Sequence, residues 1–329
     1  MSDPKPRKTL TRVEKPAVPA EFPDVLTWAA WLYFVDELTQ SDVADRVGVS
    51  RVTVIKLLND AKAKGIVSIR MSPDVASRAV TSRRLADRFG LRSALIIPDG
   101  GHMPLHERLG RAGAFAVAES AQEGDVIGVA WGRTVLSAAR NVALEHPVKN
   151  LTVVQVSASP NGLSADFSPE LCSSLFANNL GARSVNLLAP AIVTSRELRT
   201  LLLQEPTIRK QLDLIRSANK VVFGVGEIGV GSTLRASELH SDATVETLMR
   251  QGAVAAILGL FLDENGHEIA DPTHVRIIGI TLDELRAIPS RLCLAGGPNK
   301  IMALRAALVG GFATDLITDL SSAKQLLET

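Results

Sequence analysis

The sequence predicts an α/β protein in which a small helix-turn-helix head, of winged-helix type, is joined to a much larger domain with a mostly parallel sheet. Three observations predict it. Short β-branched runs alternate with helical stretches from Arg92 onward, a compact helix pair occupies Thr39 to Gly65, and a proline-rich basic stretch precedes both.

Residues 1–23 hold five Lys/Arg and five prolines (Pro4, Pro6, Pro16, Pro19 and Pro23) and read as a flexible basic arm, touching DNA phosphates or without a role. A helix from about Pro23 to Asp36 follows, its Trp28, Trp31 and Phe34 expected in the core, with a face toward another subunit as the alternative. Within the head, residues 24–71, Thr39 can cap a short helix whose Val43, Ala44 and Val47 recur at helical spacing. Gly48 supplies the turn and Ser50 caps the next helix. There Val54, Leu57, Leu58 and Ala61 form one apolar face, which leaves Val52, Lys56 and Asn59 pointing outward beside Arg51, Thr53 and Ile55. Such a face suits a DNA major groove: Thr53, Lys56 and Asn59 can hydrogen-bond bases or phosphates, and Val52 and Ile55 can pack on thymine methyl groups. The candidate DNA-binding residues are therefore Thr39, Gln40, Ser50, Arg51, Val52, Thr53, Ile55, Lys56 and Asn59; a plain helical hairpin is the alternative. A strand-like run, Ile66 to Met71, ends the head, and Pro73 to Phe89 reads as a linker helix within residues 72–91.

From residue 92 to 329 the strand candidates are Ala94 to Pro98, Val126 to Ala130, Leu151 to Val156, Ser184 to Leu188, Lys220 to Val225, Val275 to Ile280, Arg291 to Ala295 and Leu316 to Thr318. Helical stretches lie between most of them, so the sheet should be covered on both faces and bind ligands at the carboxyl ends of its strands.

Composition limits the function. The 329 residues are 46% hydrophobic and 22% charged, enough for a sizeable core and about two domains. A formal net charge of +1 rules out a protein that binds nucleic acid through its overall charge. From Asp24 to Arg70 six Lys/Arg face six Asp/Glu, but residues 50–64 hold four bases (Arg51, Lys56, Lys62, Lys64) against Asp60, so any DNA attraction is local. Cys172 and Cys293 lack ligand spacing and are expected as buried, reduced thiols of a cytoplasmic protein, with no metal. The longest nearly unbroken apolar run, Gly252 to Leu262, is too short to span a bilayer, so no membrane partner is expected.

Three strand-end loops carry the candidate chemistry. Trp131-Gly132-Arg133-Thr134 joins a strand to a helix, where a glycine turn, a guanidinium and a hydroxyl can cradle a phosphate or another anion, or simply make a capped turn. Ala295-Gly296-Gly297-Pro298-Asn299-Lys300 repeats that setting, with Lys300 able to donate to an oxygen-rich ligand. Gly224-Val225-Gly226-Glu227-Ile228-Gly229 matches the dinucleotide fingerprint in letters, but no acidic residue ends a second strand some 20 residues on, so the glycines are read as lining a small-molecule pocket. The candidate effector-binding set is Gly132, Arg133, Thr134, Gln155, Asp166, Gly224, Gly226, Asp242, Gly296 and Lys300, with no cofactor and no catalytic residue assigned.

With these blocks in order the chain resembles the SorC family of sugar-responsive bacterial transcriptional regulators, whose effector domain is of the DeoR-like sugar-binding type. The matching pieces are LTQSDVADRVGVSRVTVIKLL, GDVIGVAWGRT from Gly124, LLAPAI from Leu187, VFGVG from Val222, RIIGITLDELRAIP from Arg276, AGGPNKIMALRAAL from Ala295 and LITD from Leu316. The resemblance implies a fold similar to ribose-5-phosphate isomerase and glucosamine-6-phosphate deaminase, and an effector, usually a phosphorylated sugar, held by Gly132, Arg133, Thr134 and Lys300. It also implies dimers or tetramers, with operator DNA, effector and self as partners. The expected function is a regulator, a repressor of a carbohydrate or polyol operon, whose operator affinity follows a sugar, polyol or sugar-phosphate effector. The alternative is a sugar-phosphate isomerase or deaminase with an accessory DNA-binding head. That chemistry needs a general base, and the six histidines (His102, His106, His146, His240, His267, His274) show no paired spacing, which leaves Asp166 and Asp242 as the best carboxylates. The sequence departs from the family where Gly-Ala-Val-Gly-Asp-Ile is common and Gly252 to Ile257 reads Gly-Ala-Val-Ala-Ala-Ile. It departs again at Ile55 and Lys56, commonly serine and arginine, and at Leu320, commonly acidic.

Overall fold

The computed structural model describes residues 17–69, 72–159, 167–229, 232–236, 239–269, 271 and 273–329. The chain divides into two compact units between Ser72 and Pro73.

The first unit holds helices α1 (Val25–Phe34), α2 (Gln40–Val47) and α3 (Arg51–Ala63). Each begins at a residue whose side chain accepts a backbone N–H: Asp24 from Thr27, Thr39 from Asp42 and Ser50 from Thr53. Asp42 completes a reciprocal box by accepting from Thr39 N at 3.2 Å. Trp28 and Leu32 of α1, Val43 and Val47 of α2, and Val54 and Leu58 of α3 share one small core, and Val18 and Phe22 pack on it, so the end of the expected flexible arm is tied down. Phe34 is half-buried, whereas Trp31 is 47% exposed and donates its indole N–H to Asp36 Oδ1 at 3.1 Å, so core burial holds for only part of the aromatic set. Residues 66–69 form no strand, against the expectation, because no second strand is present among the described residues to pair their backbone; Arg70 and Met71 lie outside the described residues.

In the second unit α4 (Pro73–Phe89) is a layer of the domain and not a free linker: Leu85 is fully buried and Arg88 Nη1 donates to Leu327 O at 2.6 Å. Seven strands follow in the order β1 (Ser93–Ile97), β9 (Asp315–Asp319), β8 (Ser290–Leu294), β5 (Lys220–Phe223), β2 (Val126–Val129), β3 (Thr152–Gln155) and β4 (Arg183–Val185). Every pairing is parallel. Alternate residues feed two cores, one on each face: Val221, Phe223, Val154, Cys293 and Leu316 on one side, Val222, Val153, Leu294 and Ile317 on the other. Both cysteines are free, and burial pushes each thiol up to about 12. No helix among the described residues is long and apolar enough to cross a membrane.

One strand expectation fails here, and one hairpin was not expected. Val275 to Ile280 is a 3-10 turn (His274–Arg276) followed by isolated bridges, Ile277 to Ile192 and Gly279 to Ser157, because the run lies across two segments instead of along one. The apolar run Gly252 to Leu262 is an antiparallel hairpin of β6 (Ala255–Ile257) and β7 (Leu260–Leu262). Its two-residue turn, Leu258-Gly259, has positive φ at both positions (+54 and +83), the pattern of a type I′ turn, and places a leucine where glycine is usual.

Two constraints aim the strand ends. Helix α5 (Leu105–Ser120) lies against α6 (Arg133–Asn141) so closely that a Cβ on Gly110 would stand 2.4 Å from Ser137 Cβ and 2.8 Å from Ala138 N. Asp319, buried at the end of β9, accepts from Gly297 N at 2.9 Å and Ser322 Oγ at 2.6 Å through Oδ2, and from Ser322 N and Ser321 Oγ through Oδ1, which fixes the loop after β8. Burial alone would raise its pKa, but the hydrogen bonds from Ser321, Ser322 and Gly297 outweigh it and hold the carboxyl below the usual range.

Gly110→Val should therefore cost roughly 1–3 kcal/mol by overpacking, read as a lower thermal midpoint; an unchanged midpoint would show that the two helices can separate freely. Asp319→Asn should cost about 1–3 kcal/mol at pH 7. Because the folded pKa is depressed, that stability is present above about pH 4 and is lost as pH falls through the lower folded value, so urea titrations of variant and wild type should converge in acid. A pH-independent gap would contradict this role for Asp319.

Candidate functional site

The strand order places β8, β5 and β2 side by side, so their three following loops stand next to one another at the carboxyl edge. Between β5 and β2 the chain order reverses, since β3 and β4 continue outward from β2 while β5 lies on its other side, and a crevice is expected at such a switch. A cavity of about 240 Å³ occupies that place. Gly132, Arg133 and Thr134 line it from the β2 loop, Gly224 and Gly226 from the β5 loop, and Gly296 and Lys300 from the β8 loop. Seven of the ten sequence-nominated effector residues are thus brought together. Their separation along the chain is up to 168 residues, Gly132 to Lys300, and only the parallel pairing unites them.

Gly132 is the N-cap of α6 with φ +120, a backbone that glycine adopts freely, and it offers no side chain to cap the first turn. The amide groups opening α6 lack a cap from that residue and stand beside the exposed Arg133 and the buried Thr134. Lys300 crosses to the neighbouring loop, donating Nζ to Val225 O at 2.9 Å. Burial holds its ammonium below the ordinary lysine range, Cys293 opposes this and Arg133 reinforces it.

The cavity also takes residues the sequence did not nominate. His106, in the first turn of α5, lines it; burial and then Arg133 lower its pKa. No spacing signal marks it, since it reaches the site through α5 packing on α6. Leu258 and Gly259 of the hairpin turn, Ala256 of β6 and Leu234 close another side, and Trp131 adds an indole stacked on Phe167 with ring centroids 6.2 Å apart and planes at 8°. The departure from the family's acidic segment falls on this wall, since Ala256 is the residue at that position.

Three nominated residues are placed otherwise. Gln155 is fully buried away from the lining: Nε2 donates to Ser157 O at 2.7 Å and Oε1 accepts from Leu187 N at 3.4 Å, so the amide ties the end of β3 to the loop after β4. Asp242 opens the helix Asp242–Arg250 with its side chain 73% exposed, accepting from Arg235 Nη1 at 2.5 Å, and is not part of the lining. Asp166 lies outside the described residues.

In the first unit the nominated DNA-binding residues separate by role. Thr39 and Ser50 are helix caps, and Gln40 Oε1 accepts from Arg51 Nε at 3.3 Å across the α2–α3 junction. Arg51, Val52, Thr53, Ile55, Lys56 and Asn59 are all exposed on α3, Val52 at 76% despite being apolar. Val54, Leu58 and Ala61 are buried on the opposite side, with Leu57 half-buried beside them.

Comparison with known proteins places the chain in a family. Residues 74–328 match the family described as "Putative sugar-binding domain". The transcriptional regulator YjhU of Escherichia coli K12 is 35% identical over 311 residues, covering 92% of this chain and 94% of that protein. The erythritol catabolism regulatory protein EryD of Brucella abortus is 32% identical over 306 residues, covering 91% and 95%. In fold the chain is similar to the full-length sorbitol operon regulator SorC of Klebsiella pneumoniae, with a TM-score of 0.72, 24% identity and coverage of 92% and 98%. With sequence blocks, strand-end cavity and relatives all in agreement, the chain belongs to the SorC family of transcriptional regulators that carry this sugar-binding domain.

Proposed function

We propose that this protein is a DNA-binding regulator, a repressor of a carbohydrate or polyol operon, whose operator affinity is set by a sugar or sugar-phosphate effector held in the cavity at the ends of β2, β5 and β8. The observation that carries the reading is the convergence of Arg133, Lys300 and the uncapped start of α6 on one cavity. An anion placed there meets fixed donors in a partly desolvated space, where charge-assisted hydrogen bonds are strong. Relatives named for erythritol catabolism, a sorbitol operon and deoxyribonucleosides support a small hydroxylated or phosphorylated metabolite as the class of effector. A binding role rather than turnover is supported by the relatives, which are named transcriptional regulators.

Helices α2 and α3 are read as the two helices of a helix-turn-helix, with α3 presented to the major groove. Its exposed Val52, Thr53, Ile55, Lys56 and Asn59 face away from the small core, the arrangement that groove reading needs. One such head reads few base pairs, so a dimer or tetramer on paired half-sites is part of the proposal. Effector binding then shifts the population between oligomer arrangements that hold paired heads differently, and operator affinity follows.

Lys56→Ala should weaken specific operator binding by roughly 1–3 kcal/mol, as one lost base contact does, and leave effector binding as it was. Unchanged operator affinity in a gel-shift titration would remove Lys56 from the reading surface. Arg133→Ala should bind operator normally and no longer respond to effector; calorimetry showing full effector affinity in that variant would place the effector elsewhere.

A further inference from the structure

Helix α5 has an outer face that its own domain leaves uncovered. Leu109, Gly110, Gly113, Ala114 and Val117 are buried on its inner side, whereas Phe115 is 64% exposed, more than any other aromatic residue among those described. Arg111 and Glu119 stand four residues before and four after it. Both are exposed, and neither has an ion-pair partner among the described residues. The three side chains form one ridge of i, i+4 spacing, with a base, a phenyl ring and an acid in that order. Beside the ridge runs a groove of about 480 Å³ between α5 and residues 141–148, with Ala118, Ala143, Leu144 and Val148 as its apolar lining.

An apolar centre flanked by opposite charges at equal spacing is complementary to itself. When a second α5 crosses antiparallel with Phe115 near the two-fold axis, Arg111 of each copy lies opposite Glu119 of the other, about 6 Å along the helix from the centre. A parallel crossing would set base against base and acid against acid. We infer that this face of α5 binds a second copy of the chain in an antiparallel, two-fold contact, with Phe115 of each copy seated in the groove of the other and Arg111 paired with Glu119 across the axis. The inference rests on the reading of the protein as an oligomer and deepens it by naming the face that joins two copies. It also gives the effector a route to the assembly. Leu105, His106 and Leu109 at the start of α5 line the strand-end cavity, so a shift of this helix on effector binding moves the contact with it.

The test is sedimentation velocity of the full-length protein over a dilution series, with single and double charge reversals. Arg111→Glu alone, or Glu119→Arg alone, sets like charges face to face at two places, and each is expected to weaken one self-association step by roughly tenfold or more. The chain carrying both reversals has opposite charges facing again and should assemble as the wild type does. An equimolar mixture of the two single variants should associate where neither does alone, and Phe115→Ala should weaken the same step with an unchanged far-ultraviolet circular dichroism spectrum. Single reversals that associate like the wild type, or a double reversal and a mixture that fail to recover, overturn the contact at α5 while an oligomer joined elsewhere stands. A wild-type protein that sediments as a monomer throughout removes the oligomer and this inference together.

Discussion

The position of β5 between β2 and β8, all three parallel, is the constraint on which the site depends. Parallel pairing brings the carboxyl ends of three strands to one edge, so each following loop opens beside the other two. Slipping any one strand by a residue would turn its core side chains over and move its loop out of the crevice. The two-sided core resists such a slip, because Val221 and Phe223 serve one face while Val222 serves the other. Stability and site geometry are therefore the same property here, and the close helix contact at Gly110 and the bonded carboxylate of Asp319 complete the alignment at the loops.

Gathering Arg133, Lys300 and His106 around one cavity is costly without a ligand. Burial penalises both Lys300 and His106 as cations, and each is further opposed by Arg133. A bound anion reverses that balance by favouring the charged forms, so anion binding and proton uptake by these groups are linked. Leu258, held at positive φ in the hairpin turn at the cavity wall, is a second place where local strain sits at the candidate site.

The parts of the fold carried by local pattern were legible in the sequence. Seven of the eight strand candidates form strands, because each is a short, mostly apolar run bounded by turn or cap residues. Val275 to Ile280 has the composition of a strand, but its backbone bonds go to two different segments, which local pattern does not encode. The β6–β7 hairpin was missed because its turn is Leu258-Gly259 inside an unbroken apolar run, with no polar residue to mark the reversal. The glycine and cation loops were legible as motifs, but His106 was not, since only packing of α5 on α6 brings it to the cavity. Gln155 and Asp242 show the converse: position near a strand end or helix start does not decide where a side chain points.

The central claim is that the cavity at the strand ends and the reading heads are two ends of one equilibrium. The most direct measurement takes one panel of sugars, polyols and their phosphates through two assays on the full-length protein, thermal stabilisation and operator affinity. A ligand that binds only the folded protein raises its midpoint, and the account predicts that the compounds which do so are those that change operator affinity. A compound that stabilises the protein by filling the cavity yet leaves operator affinity unmoved would contradict it.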